Sequence, residues 1–385
     1  MEKRYFPSIG KEISLLGFGL MRLPIVNNVP GNIDYEVAES MVDRALEGGI
    51  NYFDTAYVYH AGQSEPFAGK ALSRHPRDSY NLATKMPNWQ IQNLDQAKET
   101  FDNQLGFLQT DYLDFYLVHN LNSEGYKVFL KSGLYDFLRK KKDEGSIRHL
   151  GFSMHDNPQH LSLLLDRYEW DFTQIQLNYI DWQSMKAGEL YRLLVDKNIP
   201  VIVMEPVRGG GLANLPAEAA KVLKDHDPLA SQASWALRFV ASNPGVLTVL
   251  SGMTTPAQLE DNLATFNSFK PLTPAEGEIL NKAADNFRLA YPIPCTGCGY
   301  CMDCPSGVNI PVNLAAYNHY SKVNLENPDN PIVAVFAFTS VYGALQDGEK
   351  SNNCVACEEC LSHCPQKIPI PSTLKKITEL GASLK

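Results

Sequence analysis

Eight short apolar runs recur along the first 251 residues, at 15–20, 50–54, 80–85, 113–119, 147–153, 172–177, 200–205 and 246–251. Each is nearly continuous in aliphatic and aromatic residues, the pattern of a strand covered on both faces. Longer stretches with helical periodicity separate them, among them 35–47, 95–106 and 229–241, and Gly48-Gly49 closes the first as a helix C-cap does. Parallel strands need a crossover between them, which a helix supplies. Eight β/α units in series therefore predict an α/β fold closed as a (β/α)8 TIM barrel. An open, doubly wound sheet is the alternative. The count of eight and the lack of a G-x-G-x-x-G turn oppose it.

Such a barrel needs about 250 residues, and the chain has 385. The barrel is expected to occupy 1–272, with a further helix and a linker at 273–294. Tyr291-Pro292-Ile293-Pro294 is stiff because proline fixes φ and blocks helix continuation. A second domain follows at 295–385. It holds all eight cysteines of the chain, in two runs. The first is Cys295, Cys298, Cys301 and Cys304, then Pro305; the second is Cys354, Cys357, Cys360 and Cys364, then Pro365.

The second run reads C-x2-C-x2-C-x3-C-P, the spacing of a 4Fe-4S ligand set. The first is one residue shorter between its last two cysteines. Around the runs the text repeats: residues 304–311, CPSGVNIP, echo residues 364–371, CPQKIPIP. Two similar halves holding similar ligand sets suit a two-cluster ferredoxin, in which the fourth cysteine of each run serves the other cluster. Cys295, Cys298 and Cys301 are then expected to pair with Cys364, and Cys354, Cys357 and Cys360 with Cys304. Two four-cysteine zinc sites are the alternative. Helical patterns at 314–323 and 332–345, between the runs, resemble the α-helical ferredoxin type.

The net charge of -9 argues against nucleic acid, which calls for clustered Lys and Arg. No apolar stretch approaches the roughly 20 residues that span a bilayer, so no membrane association is expected. The opening MEKRYFPSIG shows charges without an apolar segment after them. Cysteines at CxxC spacing without an export signal read as metal ligands in a reducing cytosol.

Catalytic residues of a TIM barrel stand just past strand C-termini. Asp54 follows the second apolar run, Tyr59 comes five residues later, Lys85 ends the third run and His119 the fourth. This set, in FDTAYVYHAGQSEPFAGKAL, LATKMP and DYLDFYLVHN, resembles the aldo-keto reductase family over about residues 5–270. The resemblance implies carbonyl reduction with a nicotinamide. Tyr59 would supply the proton, Lys85 would make its phenol more acidic, Asp54 would hold Lys85, and His119 would polarise the carbonyl.

It further implies that Ser153 and Gln176 hold the carboxamide, with Met204 covering the ring in place of the usual tyrosine. Met154 stands where the family has asparagine after the serine. Past the eighth run the family carries cations for the 2′-phosphate of NADP; here Ser251 is followed by Gly252, and Gln258 takes the second place. Asn262 matches an adenine contact, and Arg208 with Gly209–Gly211 offers a second phosphate contact. With no guanidinium at 252 or 258, NADP preference does not follow, and NAD or weak nucleotide binding stays open.

A hydride carries two electrons and a cluster one, and three readings result. The clusters relay electrons to or from a redox partner while the barrel handles a small carbonyl or alcohol. Alternatively, the ferredoxin module is an appendage on an ordinary nicotinamide reductase, or the barrel is a scaffold for an electron carrier. His60, Trp89, Asn120, His155 and Trp182 lie near the barrel mouth by sequence and could line a pocket.

Overall fold

The computed structural model describes residues 1–302 and 304–384. Its contacts divide the chain into two compact units: Met1–Pro206 with Ala233–Leu272, and Val207–Gln232 with Thr273–Lys385.

In the first unit, β1 (Lys3–Tyr5) and β2 (Glu12–Ser14) form an antiparallel hairpin. The barrel strands follow: β3 (Leu16–Gly19), β4 (Tyr52–Asp54), β5 (Asn81–Met86), β6 (Leu113–Val118), β7 (Ile147–Met154), β8 (Phe172–Gln176), β9 (Val201–Met204) and β10 (Val246–Ser251). All pairings are parallel and run in sequence order, and β10 closes onto β3. Each of the eight apolar runs coincides with one of these strands, β5 and β7 extending one residue past theirs.

Alternation along the strands decides what fills the barrel. Tyr52, Ala83, Phe115, Leu117, Phe172 and Ile202 form one apolar cluster with Ile9 and Ile13 from around the hairpin. Gly151 belongs to this packing: a Cβ there would lie 2.5 Å from Phe172 O and 2.8 Å from the Phe172 ring. Two residues further along the same strands, on the same face, stand Asp54, Lys85, His119, Ser153, Gln174 and Met204. The apolar floor and the polar top layer are thus one periodic pattern.

The second unit is mainly helical, with helices Ala217–His226, Pro274–Ala290, Ile310–Glu326, Pro331–Tyr342, Glu359–His363 and Ile370–Ser383. The repeated text enters the third and sixth of these in the same way, each with a proline in the first turn, where a missing N–H costs nothing. Ile310, Leu314, Phe338, Ile370, Leu374 and Ile377 build its core, with Cys364 buried among them and Cys295, Cys301, Cys304, Cys354 and Cys360 packed against it. Asn313, fully buried, donates to Asn309 O and Glu349 O and accepts from Ser351 N, which pins the segment leading into the second cysteine run.

Val207–Gln232 lies between β9 and β10 in sequence yet groups with the C-terminal residues. Helix Ala217–His226 packs on helix Pro274–Ala290, and Ala217 N donates to Glu326 Oε1 at 3.0 Å. No helix among the described residues is long and apolar enough to cross a membrane.

Candidate functional site

Lys85 is fully buried, and its Nζ donates to Asp54 Oδ1 at 2.6 Å and to Thr55 O at 2.7 Å. Burial pushes the Lys85 ammonium down and the Asp54 carboxyl up, while each charge opposes the shift in the other. Nothing else among the described residues bonds Nζ as closely as Asp54 Oδ1. Lys85 Nζ also lies 4.9 Å from the centre of the Tyr59 ring. The His119 ring meets the Tyr59 ring edge-on at 6.0 Å, and the Trp89 ring lies 5.0 Å from His119 on another side. The four residues singled out at the strand ends therefore converge.

Tyr59 opens a tight turn, Tyr59–Gly62, in which His60 and Ala61 adopt φ of 53° and 52°. Left-handed backbone costs about 1–3 kcal/mol for such residues, so the surroundings must impose it. The His60 ring does so: Nδ1 bonds Pro30 O at 2.8 Å, and Nε2 accepts from Leu23 N at 3.2 Å. His60 thus positions the turn that carries Tyr59.

The phenol does not become more acidic in this setting. Burial pushes the Tyr59 phenol well above its ordinary value, and Asp54 and Glu205 push it further. Lys85 offsets little of this because its charge is matched by Asp54. Tyr59 holds its proton at neutral pH, which suits a donor. Burial, then Lys85 and His155, drives His119 well below the usual histidine range, so its imidazole is neutral. Its Nδ1 and Asp54 Oδ2 are buried without a hydrogen-bond partner among the described residues.

A polar network that the sequence did not reveal lies behind Lys85. Thr84 Oγ1 and Gln104 Nε2 both donate to Glu65 Oε1, at 2.5 and 2.6 Å; Gln104 also donates to Lys85 O, and Tyr116 OH donates to Gln104 Oε1. Burial pushes the Glu65 carboxyl up to about 7. A glutamate within a helical pattern gave no sign of this, because it faces inward only once the helix Ser64–Leu72 packs on the barrel.

The proposed nicotinamide residues divide into two groups. Ser153 Oγ accepts from Asn120 N at 2.9 Å, and the Gln176 amide bonds Asp181 Oδ2 at 2.6 Å and His155 Nδ1 at 3.1 Å. These residues stand at neighbouring strand ends, with half-buried Met204 on the next strand; Asn120, bonded to Ser153 through its N–H, has a buried Oδ1 without a hydrogen-bond partner among the described residues. A carboxamide has donors and acceptors to meet at this rim, so the residues here fit that end of the cofactor.

The adenosine-side positions are engaged with one another. Ser251 Oγ accepts from Asn262 Nδ2 at 2.8 Å, and the Arg22 side chain lies over Gly252, 2.9 Å from where a Cβ would stand. Gln258 Oε1 accepts from Thr254 N at 2.7 Å and Thr255 N at 3.2 Å, closing a capping box on the helix Pro256–Asn267. The Thr254 and Thr255 amides at this helix start are thereby already bonded. Arg208 also departs from its expected phosphate role: it is 5 % exposed, and its Nη2 donates to Pro294 O at 3.0 Å. Trp182 packs on Gly188, Tyr191 and Phe239, a structural contact rather than a pocket wall.

In the second unit none of the eight cysteines is joined in a disulfide. Burial pushes Cys301 up to about 12, and the thiols whose charge reaches it are Cys295, Cys298 and Cys364. Cys360 is pushed up to about 11, with Cys354, Cys304 and Cys357 as its thiol neighbours. The thiols that act on Cys301 and on Cys360 are those the crossed pairing expects, three from one run and one from the other. Six of the thiols lie in or against the apolar core and Cys357 is exposed; thiolates at this spacing fit iron–sulfur clusters.

Residues 15–285 match the aldo/keto reductase family model, and residues 294–368 match a 4Fe-4S dicluster domain. Among curated proteins, L-galactose dehydrogenase of Arabidopsis thaliana is 27% identical over 71% of this chain and 90% of its own length. The NADH-specific methylglyoxal reductase of Escherichia coli is 26% identical over 66% of this chain and 90% of its own. Among solved structures, the holo form of aldo-keto reductase AKR11C1 from Bacillus halodurans superposes with a TM-score of 0.62 at 28% identity, covering 74% of this chain and 96% of that one. With the barrel, the converging strand-end residues and the crossed cysteines, these matches make the chain an oxidoreductase of the aldo/keto reductase family that carries a C-terminal 4Fe-4S domain.

Proposed function

We propose that the barrel reduces the carbonyl group of a small substrate, or oxidises the corresponding alcohol, with Tyr59 as the proton-transferring residue. The observation that carries this reading is the buried Lys85–Asp54 pair beneath a protonated Tyr59. Ser153, Gln176 and Met204 would hold a nicotinamide, which when bound would supply a hydride to a carbonyl carbon. Negative charge then gathers on the carbonyl oxygen. His119, neutral, donates a hydrogen bond to that oxygen and stabilises it as it forms. The alkoxide is far more basic than a phenolate, so the proton passes from Tyr59 to oxygen even though burial holds it tightly in the resting site. The phenolate left behind lies beside the Lys85 ammonium, whose attraction it now feels in full. Asp54 and Thr55 O keep Lys85 in place through the cycle. One hydride and the proton from Tyr59 would convert carbonyl to alcohol.

The residues at the adenosine end carry no cation at positions 252 and 258, which supports NAD over NADP; the Escherichia coli relative is named an NADH-specific enzyme. The two cysteine runs would hold two 4Fe-4S clusters, whose chemistry would be single-electron exchange with a partner redox protein. Thiolate ligands of this kind suit a reducing cytosol.

Tyr59→Phe tests the barrel chemistry. Carbonyl reduction is expected to fall by about 10²–10⁴-fold, and unchanged turnover would leave the barrel as a scaffold. Anaerobic titration of the holo-protein with NADH, NADPH and reduced ferredoxin, followed in the cluster spectrum, tests the relay. Iron that answers to none of these donors would refute it.

A further inference from the structure

We infer that Arg208 and Gly209 form a clamp on the first cysteine run, and that this clamp sets the reduction potential of the cluster bound by Cys295, Cys298, Cys301 and Cys364 while leaving the other cluster alone. The inference rests on the two-cluster loading proposed above.

The clamp is built from the loop after β9. Arg208, Gly209 and Gly210 have consecutive positive φ values of 51°, 64° and 94°. A left-handed arginine is costly, so its placement needs a cause in the surroundings. The buried guanidinium donates to Pro294 O, the carbonyl of the peptide that leads directly into Cys295. Ile293, the residue before, is fixed from another side: its N–H donates to Asn318 Oδ1 and its carbonyl accepts from Asn318 Nδ2.

Gly209 acts on the peptide just beyond Cys295. A Cβ there would stand 2.3 Å from Thr296 O, so only glycine lets the Thr296 carbonyl come this close. That carbonyl and the Gly297 N–H belong to one rigid plane and point in opposite directions. With the oxygen seated against Gly209, the N–H is aimed at Cys295 Sγ, to which it donates at 3.4 Å.

Reduction adds one electron to an already anionic cluster. A nearby cation and an N–H donated to a ligand sulfur both favour the reduced form, and both raise the potential. Among the described residues, no equivalent pair of contacts is seen from this loop to Cys304 or to Cys354, Cys357 and Cys360. One segment of backbone thus tunes one cluster and provides a basis for a difference between two clusters with similar ligands.

The test is an anaerobic redox titration of the full-length holo-protein against dithionite, read by electron paramagnetic resonance. Arg208→Gln and Gly209→Ala should each lower the potential of one cluster, changing its reduced-to-oxidised ratio about tenfold at fixed potential, or ~59 mV for one electron. Arg208→Lys, which keeps the charge, should stay near the parent value. The shifted signal should be the one that Cys298→Ser alters. Should the glutamine variant lose only that signal, the clamp is supported; loss of both signals refutes it. Unmoved potentials, equal movement of both clusters, or movement of the signal that Cys357→Ser alters would also overturn it. Iron and sulfide analysis separates the two claims. About four irons per chain instead of about eight would end the two-cluster loading, while the one remaining potential would still judge the clamp.

Discussion

Asp54→Asn isolates the interaction on which the barrel site is built. Lys85 Nζ and Asp54 Oδ1 stand 2.6 Å apart, with side chains 0% and 4% exposed. At an effective dielectric constant near 20, charges at that distance attract by about 6 kcal/mol before desolvation is subtracted. Asparagine keeps the shape but leaves the ammonium with Thr55 O alone. Removing one partner of a buried pair costs about 3–5 kcal/mol, and that is the loss expected at pH 7. The pH dependence carries the sharper signature. Without Asp54 the folded-state pKa of Lys85 falls further below its unfolded value, so the unfolded chain binds the extra proton. Stability of the variant should therefore rise with pH, by about 1.4 kcal/mol per unit between the two pKa values. All four tryptophans, Trp89, Trp170, Trp182 and Trp235, lie in the barrel unit, so their emission during denaturant unfolding reports that unit. Adding Lys85→Met should recover part of the loss, because no charge is then stranded. A variant within about 1 kcal/mol of the parent at pH 7, or strictly additive effects in the double variant, would refute the reasoning.

Two further outcomes follow from the same site. Glu65 has a folded pKa of about 7 against an unfolded value near 4.5, so the native state binds the extra proton between them. The parent should lose about 3 kcal/mol of stability as pH rises through that window, and Glu65→Gln, whose carbonyl still accepts from Thr84 and Gln104, should not; parallel stability curves would contradict this. His119→Ala should cut kcat/KM by about 10²–10³ without removing any limb of the pH profile, since the imidazole is already neutral; loss of an acid limb near pH 6.5 would show that it titrates during turnover.

The strand-end residues were legible in the sequence for a definite reason. Period-two alternation ties Tyr52 to Asp54, Ala83 to Lys85 and Leu117 to His119, so recognising the apolar run also places the polar residue at its mouth. The 4Fe-4S domain was legible because ligand spacing is local and the repeated CP text links the two cysteine runs. Neither property extends to Glu65, Gln104 and Tyr116, which meet only after a helix docks on the barrel. Nor does it reach Gln258, which satisfies amides in its own capping box instead of leaving them for a phosphate.

Arg208 marks the boundary most clearly. Its sequence neighbours, three glycines after an arginine, suggest a phosphate loop, and only the packed chain turns the guanidinium toward Pro294, 86 residues away. Local periodicity and ligand spacing determined the barrel, its polar mouth and the thiol sets, because those patterns repeat within a few residues. The direction in which a proton is held at Tyr59, and the partner of each buried charge, came from tertiary structure, because burial and long-range electrostatics depend on residues the chain brings together only when folded.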